Sequence, residues 1–221
     1  MFEIIITVIS IAASLFGTVK LFKSKDPLYF KMVVCASWCV SAQLLYQICL
    51  LYCVSLNGVF SDNILSGLGT NSFAAFLFAA NSGPLDSILD GKDPKNKKVR
   101  RIALAAPAIF LALTLLCGYF WCRSGDSLIE YIGFALISAS LIPGCVYYNL
   151  KYLLIPDDGV FVRGVKPLNL FSLLLCFVAL AEMFTAVFRL AVLMKICEFI
   201  WGSLAAATVL AAVWGRKKWK I

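Results

Sequence analysis

The chain has 221 residues, 62% of them hydrophobic and only 14% charged, with a mean hydropathy of +0.90. A soluble globule carries roughly 25% charged residues, so this composition excludes a water-soluble fold and predicts a protein built for lipid. The chain has no histidine, which removes the commonest general base, the usual neutral metal ligand and any histidine-centred triad. An enzyme is the least expected function class.

A helix needs about 20 mostly apolar residues to cross the hydrocarbon core. Windows of that length predict seven spans, over residues 3–22, 30–56, 63–83, 102–121, 129–153, 168–194 and 198–214. The runs are continuous, without the ten-residue alternation of barrel strands. The expected fold class is therefore all-α, a polytopic bundle in one transmembrane domain. Glu3 precedes the first span and the lysines follow it, the reverse of a secretory signal, so it reads as a retained helix.

The second span carries Gln43 near its midpoint and Gln47 one turn later. Trp38 and Tyr46 flank them, as stacking platforms or as packing residues. Cys35, Cys39, Cys49 and Cys53 lie on the same helix. Zinc sites recruit ligands from separated segments with short Cys-x-x-Cys turns, so these read as packing residues and no metal or cofactor is expected. Asn71 and Asn81 bracket the third span, whose first half is diluted by Ser66, Thr70 and Ser72. In the loop after it, Asp86, Asp90 and Asp93 lack the spacing of a calcium loop. The fifth span contains Pro143-Gly144, and Pro156-Asp157-Asp158-Gly159 marks a turn. The sixth contains Glu182 at mid-depth, with Arg189 two turns further on. In the seventh, Gly202 and Ala206 have the spacing of close helix packing. That span has no lysine between Phe199 and Val213, which excludes a retinal Schiff base. Cys53, Cys122 and Cys197 fall near the outer surface, where an oxidising compartment would allow a pair; no particular pairing follows from the sequence.

Charge sets the expected orientation. Lys20, Lys23, Lys25 and Lys31, then Lys92 to Arg101, then Lys151, Arg163 and Lys166, and finally Arg216 to Lys220 place 17 of the 20 cationic residues on alternate connections. The other side holds Arg123, Arg189 and Lys195. The prediction is N-terminus outside and C-terminus in the cytoplasm, in a bacterial cell (inner) membrane. The net charge of +8 then reflects topology and attraction to anionic inner-leaflet lipids; no nucleic-acid partner is implied.

The first and fifth spans echo each other. Ala13-Ser14-Leu15-Phe16-Gly17-Thr18-Val19 precedes a basic loop and Pro27-Leu28, while Ala139-Ser140-Leu141-Ile142-Pro143-Gly144-Cys145-Val146 precedes a longer loop and Pro167-Leu168. Read as a repeat, this is a three-plus-one-plus-three arrangement. It resembles the SWEET and PQ-loop transporter families over helices one, two, five and six. In those families a Pro-Gln motif hinges the first helix of each triplet. This chain has Leu15-Phe16-Gly17 and Leu141-Ile142-Pro143-Gly144 instead, so the diagnostic motif is absent. The resemblance implies hinges at Gly17, Pro143 and Gly144.

A charge at the bilayer centre costs on the order of 3 kcal/mol, which makes Glu182 a candidate site residue or, alternatively, protonated interhelical glue. The leading expectation is a bundle that moves a small polar solute through a central cavity. Gln43, Gln47, Asn71, Glu182 and Arg189 are the candidate binding residues. The alternatives are a seven-helix sensor signalling to a cytoplasmic partner and an accessory subunit of a membrane complex, as a homo-oligomer or beside another membrane protein.

Overall fold

The computed structural model describes residues 2–22, 27–52, 62–82, 101–102, 104–109, 111–113, 116, 119, 128–154 and 160–219. Those residues are helices and their turns. Six long helices are α1 (Phe2–Leu21), α2 (Leu28–Tyr52), α3 (Asp62–Ala80), α5 (Leu128–Leu153), α6 (Val160–Val187) and α7 (Ala191–Trp219). A shorter apolar helix, α4, lies over Leu104–Leu113. Four stretches are long and apolar enough to cross a membrane: Ile4–Leu21, Leu28–Tyr46, Gly164–Glu182 and Ala191–Arg216.

The long helices form a closed ring. α2 packs between α1 and α3, α3 meets α5, α6 packs between α5 and α7, and α7 returns to α1. Two pairings cross the ring, α2 with α7 and α3 with α6. Tyr29, Phe30, Val33, Val34, Phe73, Leu77, Val146, Leu168 and Leu175 fill the interior. Apolar residues such as Val8, Leu15, Val19, Leu170, Phe177 and Leu210 lie on the outside, as expected of a bundle solvated by hydrocarbon.

Glycine permits the closest approaches. A Cβ on Gly17 of α1 would strike Val209 of α7 and Val34 of α2, and one on Gly144 of α5 would strike the Phe78 ring of α3. Gly202 of α7 packs in the same way against Ile6 and Leu44, and Gly164 meets Gly215. Close backbone approach is how helices associate where the surrounding solvent is as apolar as their side chains.

Two boundaries differ from the sequence reading. The sixth helix was expected over 168–194 and the seventh over 198–214, with Met194 to Cys197 as a loop. Instead α6 begins at Val160, carrying Pro167 inside it, and ends at Val187, while α7 begins at Ala191. Phe188 to Leu190 make the reversal. The Leu190 N–H donates to the Thr185 carbonyl at 2.8 Å, and Arg189 adopts the left-handed conformation with φ 53°. This is a six-to-one helix-terminating bond with arginine where glycine usually sits. Hydropathy cannot detect such a stop, because the residues around it are as apolar as those within the helix. Left-handed backbone costs a non-glycine residue about 1–2 kcal/mol. Arg189→Gly is therefore expected to raise the unfolding free energy by about 1 kcal/mol in detergent; a loss of stability would mean that the arginine side chain holds the turn.

Candidate functional site

The turn decides where the predicted charged pair falls. Arg189 is exposed in the reversal and is not two helical turns beyond Glu182 on one face, as expected. Glu182 is half-buried. It lies five residues before the end of α6, about 7.5 Å by helical rise, and so in the outer third of the helix instead of at its middle. The hairpin brings Glu198 of α7 close enough to interact with it electrostatically, with Cys197 beside both. The seventh span was expected to begin at Glu198. Because α7 starts earlier, this residue lies two turns inside the helix. Thr185 Oγ1 donates to the Glu182 carbonyl at 2.8 Å.

Gln43 is buried where α2 meets α3, against Gly69, whose absent Cβ would overlap the Gln43 side chain. Gln47 and Asn71 lie on α2 and α3, but their side chains fall outside the described residues. Pro143 is buried within α5, and Gly17 and Gly144 are the contact points described above. Cys53 and Cys122 also lie outside the described residues, and Cys197 is a free thiol. Trp38 does not face an interior space: its indole N–H donates to Thr18 Oγ1 at 2.9 Å on the partly exposed α1–α2 seam. Trp201 does face inward, packed edge-on to Phe73 with ring centroids 5.3 Å apart. Its indole nitrogen has no hydrogen-bond partner.

Two polar networks emerge that sequence reading missed. The first joins α1 to α2. Ser10 and Ser41 hydroxyls are 2.8 Å apart, Ser14 and Ser37 2.8 Å, and Ser14 and Ser41 3.0 Å. All four serines are buried. The four-residue spacing of Ser10, Ser14 and Thr18 against that of Ser37 and Ser41 was the available signal. Interhelical hydrogen bonds in lipid average about 0.6 kcal/mol, with a maximum near 1.7. Ser14, bonded to two partners, is expected to cost about 1 kcal/mol when changed to alanine, read as reduced resistance to denaturation in detergent.

The second network lies at the end of the bundle where α3 and α5 finish and α2 and α6 begin. Asn81 Nδ2 donates to Asn149 Oδ1 at 3.0 Å, and Asn149 Nδ2 donates to Cys145 Sγ at 3.2 Å. Tyr152 OH donates to the Asn81 carbonyl at 3.3 Å. The Cys145 thiol faces the Cys176 thiol of α6 and is within electrostatic reach of Tyr29 OH. Asn169 and Ser172 continue the buried face of α6 below Cys176. Lys151, also buried, stacks over Tyr148 and Tyr152, with Nζ 5.8 and 5.6 Å from the ring centroids. Across the bundle the Arg216 guanidinium of α7 donates to the Lys20 carbonyl at the end of α1. Lys20, Lys31, Lys151, Lys166 and Arg216 are thus gathered at one end.

The interior therefore offers amide, phenol and thiol groups at the basic end, and two half-buried carboxyl groups, Glu182 and Glu198, lie near the opposite end. Chemically this arrangement can bind and orient a polar guest. No protein-family model, curated protein or solved structure matches the chain.

Proposed function

We propose that the chain is a seven-helix membrane transporter for a small polar solute, built from two three-helix halves joined by α4. The observation that carries this reading is the order of packing. Exchanging α1, α2 and α3 for α5, α6 and α7 converts each helix pairing among the described residues into another. The α1–α2 contact becomes α5–α6, α2–α3 becomes α6–α7, α3–α5 becomes α7–α1, and α2–α7 becomes α6–α3. The aligned residues Gly17 and Gly144 follow the same exchange, one admitting α7 and the other α3. A repeat-built bundle with polar groups buried along the seam between its halves is the architecture that places substrate between two rocking units.

In this reading all seven helices span the membrane, and the basic end faces the cytoplasm. Glu182 and Glu198 act near the outer mouth, and the Asn81–Asn149 network near the inner one. A closed ring with α7 against α1 and α2 also suits a ligand sensor, in which the same groups hold a ligand without passing it on. Reconstitution separates the two. Purified protein in vesicles of three parts phosphatidylethanolamine to one part phosphatidylglycerol is expected to equilibrate at least one member of a panel of neutral, anionic and cationic solutes about tenfold faster than empty vesicles. Glu182→Gln should slow that flux severalfold. Flux no different from empty vesicles across the panel would leave the sensor.

A further inference from the structure

From the second network we infer that the site between α2, α3, α5 and α6 binds a small neutral solute carrying both hydrogen-bond donors and acceptors, of the hydroxyl or amide type. This rests on the reading of the bundle as a solute-handling protein and specifies which chemistry it handles.

Three atoms carry the inference. Tyr29 OH, Asn81 Oδ1 and Asn169 Oδ1 are buried and have no hydrogen-bond partner. Their residues are 0%, 1% and 0% exposed. A polar group left unsatisfied in the interior costs about 1–3 kcal/mol, and native structures satisfy nearly all such groups. These three are the groups that a polar guest admitted between the helices would satisfy. Asn81 is joined through Asn149 to Cys145, and Cys145 lies within electrostatic reach of Tyr29. Asn169 lies on the face of α6 that bears Ser172 and Cys176, and Cys176 meets Cys145. Because α5 and α6 are consecutive and antiparallel, moving inward from that contact brings Asn169 level with Tyr152, whose hydroxyl is bonded to Asn81.

The two halves contribute equivalently. Pro27-Leu28 is followed at once by Tyr29, and Pro167-Leu168 at once by Asn169. At both positions the side chain is fully buried and an oxygen, Tyr29 OH or Asn169 Oδ1, lacks a partner, while Asn169 Nδ2 donates to the Val165 carbonyl. A guest bridging them would touch α2 and α6, the middle helix of each triplet. The inventory of groups defines the guest. One phenol donates or accepts and two amide oxygens only accept, so the solute must present at least two donors. No carboxylate joins the cluster among the described residues, and the Lys151 charge is engaged over two tyrosine rings. A cationic guest would find no counter-charge there, and a neutral solute bearing donors suits the open acceptors.

Glycerol and urea are the probes. In the full-length protein, reconstituted as above, Cys145 borders the site and reports occupancy through its rate of methylthiolation by methyl methanethiosulfonate, which forms a mixed disulfide and releases methanesulfinate, resolved by peptide mass spectrometry. Cys35, on α2 and only half-buried, is the internal control. One of the two solutes is expected to slow modification of Cys145 and not of Cys35. The half-protecting concentration should rise at least tenfold in Tyr29→Phe and in Asn169→Leu. Tyr29→Phe removes one oxygen that no protein group holds, so the variant should fold even where Asn169→Leu does not. Absence of protection by both solutes, or equal protection in Tyr29→Phe, overturns the inference; a site holding only water gives that result. Protection without flux keeps this site and removes the transport reading. Flux of charged solutes with no protection by neutral ones keeps transport and removes this site.

Discussion

Asn149→Leu is expected to lower the unfolding free energy by about 3 kcal/mol, among the largest single effects in this bundle. The side chain is fully buried, accepts from Asn81 and donates to Cys145. Leucine removes both bonds and leaves the Asn81 amide with neither its donor nor its acceptor satisfied. Each buried polar group so stranded costs about 1–3 kcal/mol. The decisive comparison is the double variant. Replacing both partners with apolar residues removes the stranded group as well, so Asn81→Leu/Asn149→Leu should be less damaging than the sum of the single changes. Equilibrium unfolding in mixed micelles, with all three variants compared at one detergent composition, gives the coupling directly. Strict additivity would mean that the amide pair contributes nothing as a pair.

Gly17→Leu should cost a similar amount, about 3 kcal/mol, through overpacking. Even a bare Cβ at this position would come within 2.5 Å of Val209 Cγ1 and 3.0 Å of Val34 Cγ2. Both valines are fully buried and β-branched, so neither turns aside readily. Truncating the neighbour should restore part of the loss, and Gly17→Leu/Val209→Ala is expected to recover about half. Gly144→Leu meets a more forgiving neighbour. Phe78 is only half-buried, its ring can swing toward the periphery, and the cost should be nearer 1 kcal/mol. Equal costs at the two glycines would contradict this difference in confinement.

The all-helical architecture was legible from hydropathy because lipid imposes a strong rule. Every backbone polar group must be satisfied within its own segment, so long apolar runs become helices. Gly202 and Ala206 were readable as packing residues for a related reason: small side chains four apart serve close approach. Glu182 was legible as an unusual residue, but its neighbour was not. Its partner Glu198 comes from the next helix, and only the position of the reversal sets their separation. The serine ladder on α1 and α2 shows the same limit. Ser10 and Ser14 look like mild dilutions of an apolar run until the opposing helix supplies Ser41 and Ser37 at 2.8 Å.

The amino-acid sequence by itself determined that the chain is helical and suited to lipid, because those properties follow from the transfer energies of segments taken one at a time. It also marked Gln43, Glu182, Pro143 and Gly144 as exceptional within such segments. The tertiary structure alone decided that Arg189 turns the chain instead of extending a helix, that Glu198 comes within electrostatic reach of Glu182, and that Asn81 and Asn149 pair across α3 and α5. Those facts depend on which faces of separate helices meet. That choice is made by shape, with glycines admitting one neighbour and excluding another, and hydropathy carries no record of it.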